Sequence, residues 1–195
     1  MQNNLDVTFR NFIQNIFLLP EDVLEDVIMH FQHLEHPKNH LLLQQGKTCK
    51  HLWFMTKGAA RYFYTNEEGK EMNTWLSLDT QVIADTTSFV SQEPSEENIQ
   101  LLEDSEMYSI THAALQMLLQ KHHSFALWYI KLIEQHYVAQ IEDRIADLQF
   151  LNAKQRYQKL LNLYPEITNR ISLGNISSYL NITQETLSRI RAGKF

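Results

Sequence analysis

The sequence predicts an α+β chain, in which a β-roll with flanking helices is followed by a long helix and a small all-helical C-terminal domain. Between residues 41 and 110, short apolar stretches alternate with turn residues, a pattern typical of a barrel or jelly roll. Residues 124–152 carry apolar side chains at steps of 3 or 4, which predicts one helix. We therefore expect domain boundaries at 1–121, 122–152 and 153–195.

Two helices are predicted ahead of the β-roll. The first carries five apolar side chains at helical spacing: Phe9, Phe12, Ile13, Ile16 and Phe17. The second begins after Pro20 and is expected to continue to a stop near Pro37, because the residue before a proline disfavours the helical conformation.

The β-roll is predicted from its strands and turns. The expected strands are Leu41–Leu43, 52–55, 59–64, 72–78, 82–84 and 99–110. Gly46, Gly58 and a hairpin over 66–69 mark turns between them. Strands this short and evenly spaced favour a closed or double-sheet architecture.

The predicted helix over 124–152 would be about 45 Å long. One apolar stripe runs along it: Ile130, Ile133, Tyr137, Ile141, Ile145 and Leu148. A second row, which includes Phe125, Trp128 and Leu132, lies beside the stripe. One row can pack on the β-roll while the stripe pairs with a second copy of the chain; the alternative is a helix buried within one subunit.

The C-terminal segment predicts two short helices joined by a tight turn. Ser172 suits the N-cap of the first helix, and Asn181 suits a left-handed turn residue at its end. Thr183 can cap the second helix, which then begins at Gln184 and is anchored by Leu187 and Ile190. Two short helices joined in this way are typical of a helix-turn-helix, a motif that enters the DNA major groove. Its candidate DNA-contacting residues are polar and outward-facing: Thr183, Gln184, Glu185, Ser188, Arg189, Arg191 and Lys194. An ordinary helical hairpin is the alternative interpretation.

Residues 177–190 resemble the recognition segment of the Crp/Fnr superfamily of bacterial transcription regulators. The resemblance extends over roughly residues 10–195 and implies a helix-turn-helix that reads the DNA major groove through Gln184, Glu185 and Arg189. Where cyclic-AMP-binding relatives have Arg, Glu and Arg, Gln184 is expected to change the sequence that is read. The implied partners are double-stranded DNA with an inverted-repeat operator and a second copy of the chain, with RNA polymerase as a further candidate.

The printed sequence stops four residues after Arg191, where most relatives continue into a β-hairpin wing. The resemblance then implies that phosphate contacts come from Lys194, Arg170 or the helix carrying Lys154 and Lys159.

The 52–61 segment resembles the family's cyclic-nucleotide-binding fold, with Gly46 and Gly58 at turns. Nucleotide-binding members of the family have a segment called the phosphate cassette, in which an arginine pairs with the phosphate. This chain lacks that arginine, and Glu93, Glu96 and Glu97 surround its expected position. The long helix offers Ile141 and Glu142 where cyclic-AMP-binding relatives supply Thr and Ser to the adenine. We therefore expect that cyclic AMP is not the effector, and that the pocket either takes another small molecule or is empty. The residues to examine for a ligand pocket are Asp85, Thr86, Thr87 and Ser88.

The charge is distributed unevenly along the chain. Residues 1–143 hold 9 Lys and Arg against 20 Asp and Glu, a formal charge of −11, within a total of −6. Residues 144–195 hold 8 against 3, a formal charge of +5, as expected of a basic DNA-binding module attached to an acidic sensor.

Other classes of protein are less well supported. Cys49 is the only cysteine, which excludes an intrachain disulfide and a cysteine-held iron–sulfur cluster and favours a cytoplasmic protein. No apolar stretch approaches the length of a spanning helix, and residues 1–6 have neither a basic start nor an apolar core, so we expect neither a membrane segment nor a signal peptide. His30, His33, His36 and His40 are better explained as surface residues than as a metal site, although His30 and His33 could share a helix face. No catalytic constellation emerges, so we predict neither an enzyme nor a cofactor. The alternative function is a ligand- or protein-binding β-roll whose helical tail does not bind DNA.

Overall fold

The computed structural model describes residues 2–194, with the side chains of residues 7–135 and 137–194. The chain begins with helices α1 (Gln2–Ile16) and α2 (Glu21–Met29). Eight strands follow: β1 Gln32–His36, β2 Leu41–Leu43, β3 His51–Lys57, β4 Ala60–Thr65, β5 Glu71–Ser77, β6 Gln81–Ile83, β7 Asn98–Leu101 and β8 Ser105–Thr111. A short helix, α3 (Thr86–Ser91), lies between β6 and β7.

The strands form two antiparallel four-stranded sheets, ordered β1-β8-β3-β6 and β2-β7-β4-β5. The chain passes from the first sheet to the second at Gly58, between β3 and β4, and Gly58 adopts a φ of 141° there. This double-sheet arrangement confirms the predicted α+β fold with an N-terminal β-roll.

The first helix closes the β-roll on one side because its apolar face packs onto aromatic side chains of the first sheet. The Phe9 ring stacks on Tyr108 at a centroid distance of 4.2 Å, and Phe12 stacks on Phe54 at 4.0 Å. The buried indole N–H of Trp128 donates to the Ile13 carbonyl at 2.7 Å, which ties α1 to the long helix.

Two secondary-structure predictions in the β-roll region are wrong. The second helix ends at Met29, and residues 32–36 form β1 instead of its last turns, because Pro37 favours an extended His36 and β8 supplies a pairing partner. The expected single strand over 99–110 is two strands in different sheets, separated at 102–104.

The long helix begins at His123, one residue before its predicted start, and ends at Phe150. It consists of α5 (His123–Leu132), a π-helical turn (Ile133–Val138) and α6 (Ala139–Phe150). In the π-helical turn the Ala139 amide donates to the Glu134 carbonyl, five residues earlier. Helix α4 (His112–Lys121) precedes it. The predicted uninterrupted helix over 124–152 is therefore corrected, because apolar periodicity does not reveal a single π turn.

The C-terminal region contains helices α7 (Ala153–Leu163), α8 (Ile167–Arg170), α9 (Leu173–Tyr179) and α10 (Gln184–Arg191). Their buried apolar side chains form a second core that also includes Ala59, Leu76 and Leu78 of the β-roll. The helical region therefore completes its core with side chains from the second sheet.

Candidate functional site

A cavity of about 500 Å³ lies between the β-roll, α3 and the long helix. The β-roll contributes Leu52, Tyr62, Thr74, Trp75, Val82 and Ala84. The segment around α3 contributes Asp85, Thr86, Thr87, Ser88, Phe89, Ser91, Glu93, Pro94, Glu96 and Glu97. The long helix contributes Tyr129, Leu132, Ile133, Tyr137, Gln140 and Ile141. This volume is of the order that small organic ligands occupy in proteins.

The four residues singled out from the sequence all line this cavity, but two of them also hold the local structure together. Asp85 is the N-cap of α3 and accepts a hydrogen bond from the Ser88 amide, and its other carboxylate oxygen accepts from Ser95 Oγ at 2.5 Å. The buried Ser88 hydroxyl donates to the Glu93 carbonyl and accepts from the Cys49 amide at 2.9 Å. Thr87 is exposed and Thr86 is partly buried, and neither side chain caps α3, so these two are better placed to contact a ligand.

The cavity is acidic. Its lining includes the carboxylates of Asp85, Glu93, Glu96 and Glu97, and the lining residues that the structure describes include no Lys or Arg. Burial raises the pKa of the Glu97 carboxyl above its ordinary value; a hydrogen bond from Thr74 opposes this, and the charges of Asp85 and Glu96 raise it further. An anionic group placed here would meet negative charge on several sides.

The predicted stripe on the long helix divides between two surroundings. Ile133, Tyr137 and Ile141 line the cavity. Ile130, Ile145 and Leu148 face solvent in the single chain, with exposed fractions of 50%, 49% and 42%. In contrast, Phe125, Trp128 and Leu132 of the neighbouring row are buried in the main core. The stripe thus leaves an apolar surface uncovered along much of the helix.

The capping predictions at the C-terminus are confirmed. Ser172 caps α9 by accepting from the Asn175 amide, and Thr183 caps α10 by accepting from the Thr186 amide. Asn181 adopts the left-handed conformation, with a φ of 55°, in the turn between the two helices. Leu187 and Ile190 are buried and anchor α10.

The outer face of α10 carries the polar side chains expected from the sequence. Gln184, Glu185, Ser188, Arg189 and Arg191 are all exposed. Arg189 Nη2 lies 2.6 Å from Glu185 Oε1, and the two side chains are 62% and 75% exposed. Thr183 is exposed as well, although its hydroxyl is used in the cap. An exposed ion pair of this kind contributes little to stability, so either side chain can exchange its partner at small cost.

Sequence reasoning missed a cluster of contacts that joins the helical region to the β-roll. Arg170 Nη1 and Nη2 contact the two carboxylate oxygens of Asp79 at 2.7 and 2.9 Å. The same guanidinium donates to the Gly58 carbonyl at 2.8 Å and pairs with Glu103. We call this set, Arg170 with Gly58, Asp79 and Glu103, the Arg170 clamp. No local sequence pattern links these residues, which lie far apart in the chain.

A second set of contacts positions α9. The Asn73 amide of β5 donates to Ser178 Oγ at 2.9 Å, and its side chain donates to the Asn175 carbonyl at 3.1 Å. The Arg144 guanidinium lies 3.9 Å from the centre of the Tyr179 ring and donates to the Tyr179 carbonyl. Cationic groups near the last carbonyls of a helix are favourable, which fixes the end of α9.

These contacts correct one inference drawn from charge. Besides Arg189, which pairs with Glu185, the cations of 144–195 that bind partners within the chain include Arg144 and Arg156 at carbonyls near the end of α9, Lys159 at Asp143 and Asp147, and Arg170 in its clamp. In the free protein Arg170 and Lys159 are thus paired with carboxylates, and a role for them as phosphate contacts stays a prediction. Arg191 and Lys194 make no ion pair within the described part of the chain.

The four histidines near the start of the β-roll do not share one helix face. His33 lies on β1, whereas His30 follows α2 and contacts the Asp26 carbonyl at 2.7 Å. His36 and His40 stack on each other with ring centroids 4.1 Å apart. Across the described residues, no group of three His, Cys, Asp or Glu side chains is arranged to hold a metal ion.

Comparisons with known proteins identify the fold. Residues 33–122 match the family described as cyclic nucleotide-binding domain. A putative transcriptional regulator of the Crp/Fnr family from Eubacterium rectale is similar in structure, with a TM-score of 0.70 and 14% identity, over 92% of this chain and 87% of that one. The c-di-GMP-responsive global regulator CLP of Xanthomonas campestris gives 0.69 at 14% identity, over 89% and 91%.

The catabolite activator protein of Thermus thermophilus gives a TM-score of 0.56 at 15% identity, over 91% of this chain and 84% of that one. A search of curated protein sequences gives no match. Within residues 2–194 there is no helix both long and apolar enough to cross a membrane. The chain is thus an α+β protein whose fold is similar to that of these regulators, and its residues 33–122 match the cyclic nucleotide-binding domain family.

Proposed function

We propose that the protein is a homodimeric, sequence-specific transcription regulator of the Crp/Fnr type, in which α9 and α10 form a helix-turn-helix and α10 enters the DNA major groove. The observation that carries this proposal is the exposed face of α10, where Glu185 and Arg189 lie one turn apart on a helix that is capped and anchored. Arginine can bond guanine and glutamate can accept from cytosine in that groove. The ion pair between them in the free protein is exposed, so base contacts can replace it.

Dimerisation would use the stripe on the long helix. Ile130, Ile145 and Leu148 are exposed in the single chain, and a second copy related by two-fold symmetry would cover them. Such a dimer presents two α10 helices, which favours an inverted-repeat operator with half-sites about one helical turn apart.

The cavity would then be the site that binds the effector. The long helix would link this site to the dimer interface, because Ile141 lines the cavity while Ile145, one turn later, is exposed on the stripe. We infer that its effector is not cyclic AMP, since the described lining offers carboxylates where a phosphate needs a cation.

A second candidate function is a β-roll binding module whose helical tail does not contact DNA. The intrachain engagement of Arg144, Arg156, Lys159 and Arg170 favours it, because those cations cannot also neutralise phosphates. Selection of bound fragments from random duplex DNA separates the two functions. Enrichment of an inverted repeat supports the regulator, and no enrichment supports the binding module.

Replacing Arg189 by Ala should weaken binding to the selected site by about 1–3 kcal/mol, because a base contact is lost. Binding to random DNA should change much less. Titrations of labelled cognate and random duplexes at one salt concentration measure both effects. Arg10→Ala is the matched control, since Arg10 is an arginine of α1 that also pairs with glutamates. Equal losses on both duplexes would mean that Arg189 contacts only the phosphates.

Cyclic AMP and cyclic GMP should both bind weakly, with dissociation constants nearer millimolar than micromolar, because the phosphate gains no charged partner and meets Glu96 and Glu97. The missing bond and the added repulsion together cost about 2–4 kcal/mol. Isothermal titration of the purified protein measures the two constants. A value below about 10 μM for either nucleotide would contradict the proposed assignment of the cavity.

A further inference from the structure

We propose that the cavity binds an organic cation, an amine or quaternary ammonium compound that carries an apolar or aromatic group. This inference deepens the proposed function, since it rests on the cavity being the effector site. It starts from the combination of aromatic walls and an acidic rim in one cavity of about 500 Å³.

The aromatic walls come from different elements. Trp75 and Tyr62 belong to the second sheet, Phe89 to α3, and Tyr129 and Tyr137 to the long helix. The faces of Trp and Tyr rings attract ammonium groups, and they also bury apolar groups. A cation that carries an apolar portion therefore suits walls of this kind better than a small inorganic ion does.

The carboxylates supply the charge that such a ligand needs. Asp85 is already bonded to Ser88 and Ser95, so it acts through its charge alone. Glu97 is half-buried, whereas Glu93 and Glu96 are exposed at the rim. Because burial and the neighbouring carboxylates leave the ionised form of Glu97 poorly stabilised, the positive charge of a bound cation would interact favourably with it.

A metal ion fits these observations less well. The cavity is much larger than a bare ion, and no ligating cluster of three His, Cys, Asp or Glu side chains occurs in the described regions. An anionic ligand is disfavoured by the same carboxylates. The aromatic walls and the acidic rim together therefore favour an organic cation.

The test uses the full chain and two probes of similar size and opposite charge, benzyltrimethylammonium and phenylacetate. Isothermal titration and tryptophan fluorescence follow binding, because Trp75 lines the cavity while Trp53 and Trp128 are buried in the core. We expect benzyltrimethylammonium to bind at least about 10-fold more tightly than phenylacetate and to change the Trp75 emission.

Glu97→Gln keeps the side-chain shape and should raise the dissociation constant for the cation about 3- to 10-fold. The double variant Glu93→Gln/Glu96→Gln alters only exposed side chains, so it keeps the test valid if Glu97→Gln unfolds. Glu67→Gln is the matched control, because Glu67 is exposed on the β4–β5 hairpin outside the cavity. It should leave binding of the cation unchanged.

Tighter binding of phenylacetate, no binding of benzyltrimethylammonium up to about 10 mM, or equal cation affinity in all variants would overturn the proposal. DNA binding is measured separately on the same preparations. Cation binding without DNA binding would leave this inference standing and contradict the regulator, and the reverse result would contradict the cation site alone.

Discussion

Replacing Gly58 by Ala should lower the free energy of unfolding by at least about 3 kcal/mol, or prevent folding, because strain and overlap add at this position. Gly58 has a φ of 141°, which side chains rarely tolerate, and a Cβ there would lie 2.2 Å from Ser105 Oγ and 2.6 Å from Ser105 Cβ. Ser105 is buried, so it has little room to move. Urea unfolding followed by circular dichroism measures the loss.

Gly46→Ala is the matched control for this change. Gly46 also has a positive φ, 83°, but a Cβ there would meet nothing within 4 Å. Its cost should be limited to the backbone conformation, about 1–2 kcal/mol. If the two variants lost the same stability, the close approach at Ser105 would not be the cause.

Replacing Ile145 by Lys should convert the proposed dimer to a monomer and weaken binding to the proposed inverted-repeat operator about 100-fold or more, because the two half-sites are then no longer bound by linked subunits. Ile145 is 49% exposed in the single chain, so a lysine is tolerated there until a partner covers it. Sedimentation equilibrium and DNA titration measure the two effects. The monomer should retain its thermal stability apart from the contribution of dimerisation.

Glu142→Lys places the same side chain on the same helix, about 60° around its axis from Ile145 and about 100° from Ile141. This control should remain dimeric. That result would show that a positive charge on the long helix is not by itself the cause of dissociation. An Ile145→Lys protein that stays dimeric at micromolar concentration would show that the dimer uses another surface.

The features predicted correctly from the sequence are those with local causes. Ser172, Asn181 and Thr183 set the ends of α9 and α10 through their own side chains and backbone preferences, so neighbouring residues suffice to predict them. The strands β2 to β6 were predicted nearly in place because short apolar stretches are separated there by strong turn residues.

The features that were missed depend on distant partners. β1 forms because β8 pairs with residues 32–36, and nothing within those residues requires a strand. The Arg170 clamp joins four segments that are distant in sequence, so the family resemblance suggested Arg170 as a phosphate contact although the structure places it against the β-roll. The cavity residues 85–88 were found by their polarity, but the fold determines that Asp85 is bonded to Ser88 and Ser95, and that the Ser88 hydroxyl is bonded to Cys49 and Glu93.

The shared second core has a consequence for how the molecule unfolds. Ala59, Leu76 and Leu78 of the β-roll are buried against helices α7 to α10, and removing those helices would expose these three side chains to water. The C-terminal helices would in turn lose part of the apolar surface on which they pack. The two regions therefore form a single cooperative unit, in which loss of structure in the C-terminal helices is transmitted to the sheet that carries Trp75 and the cavity wall.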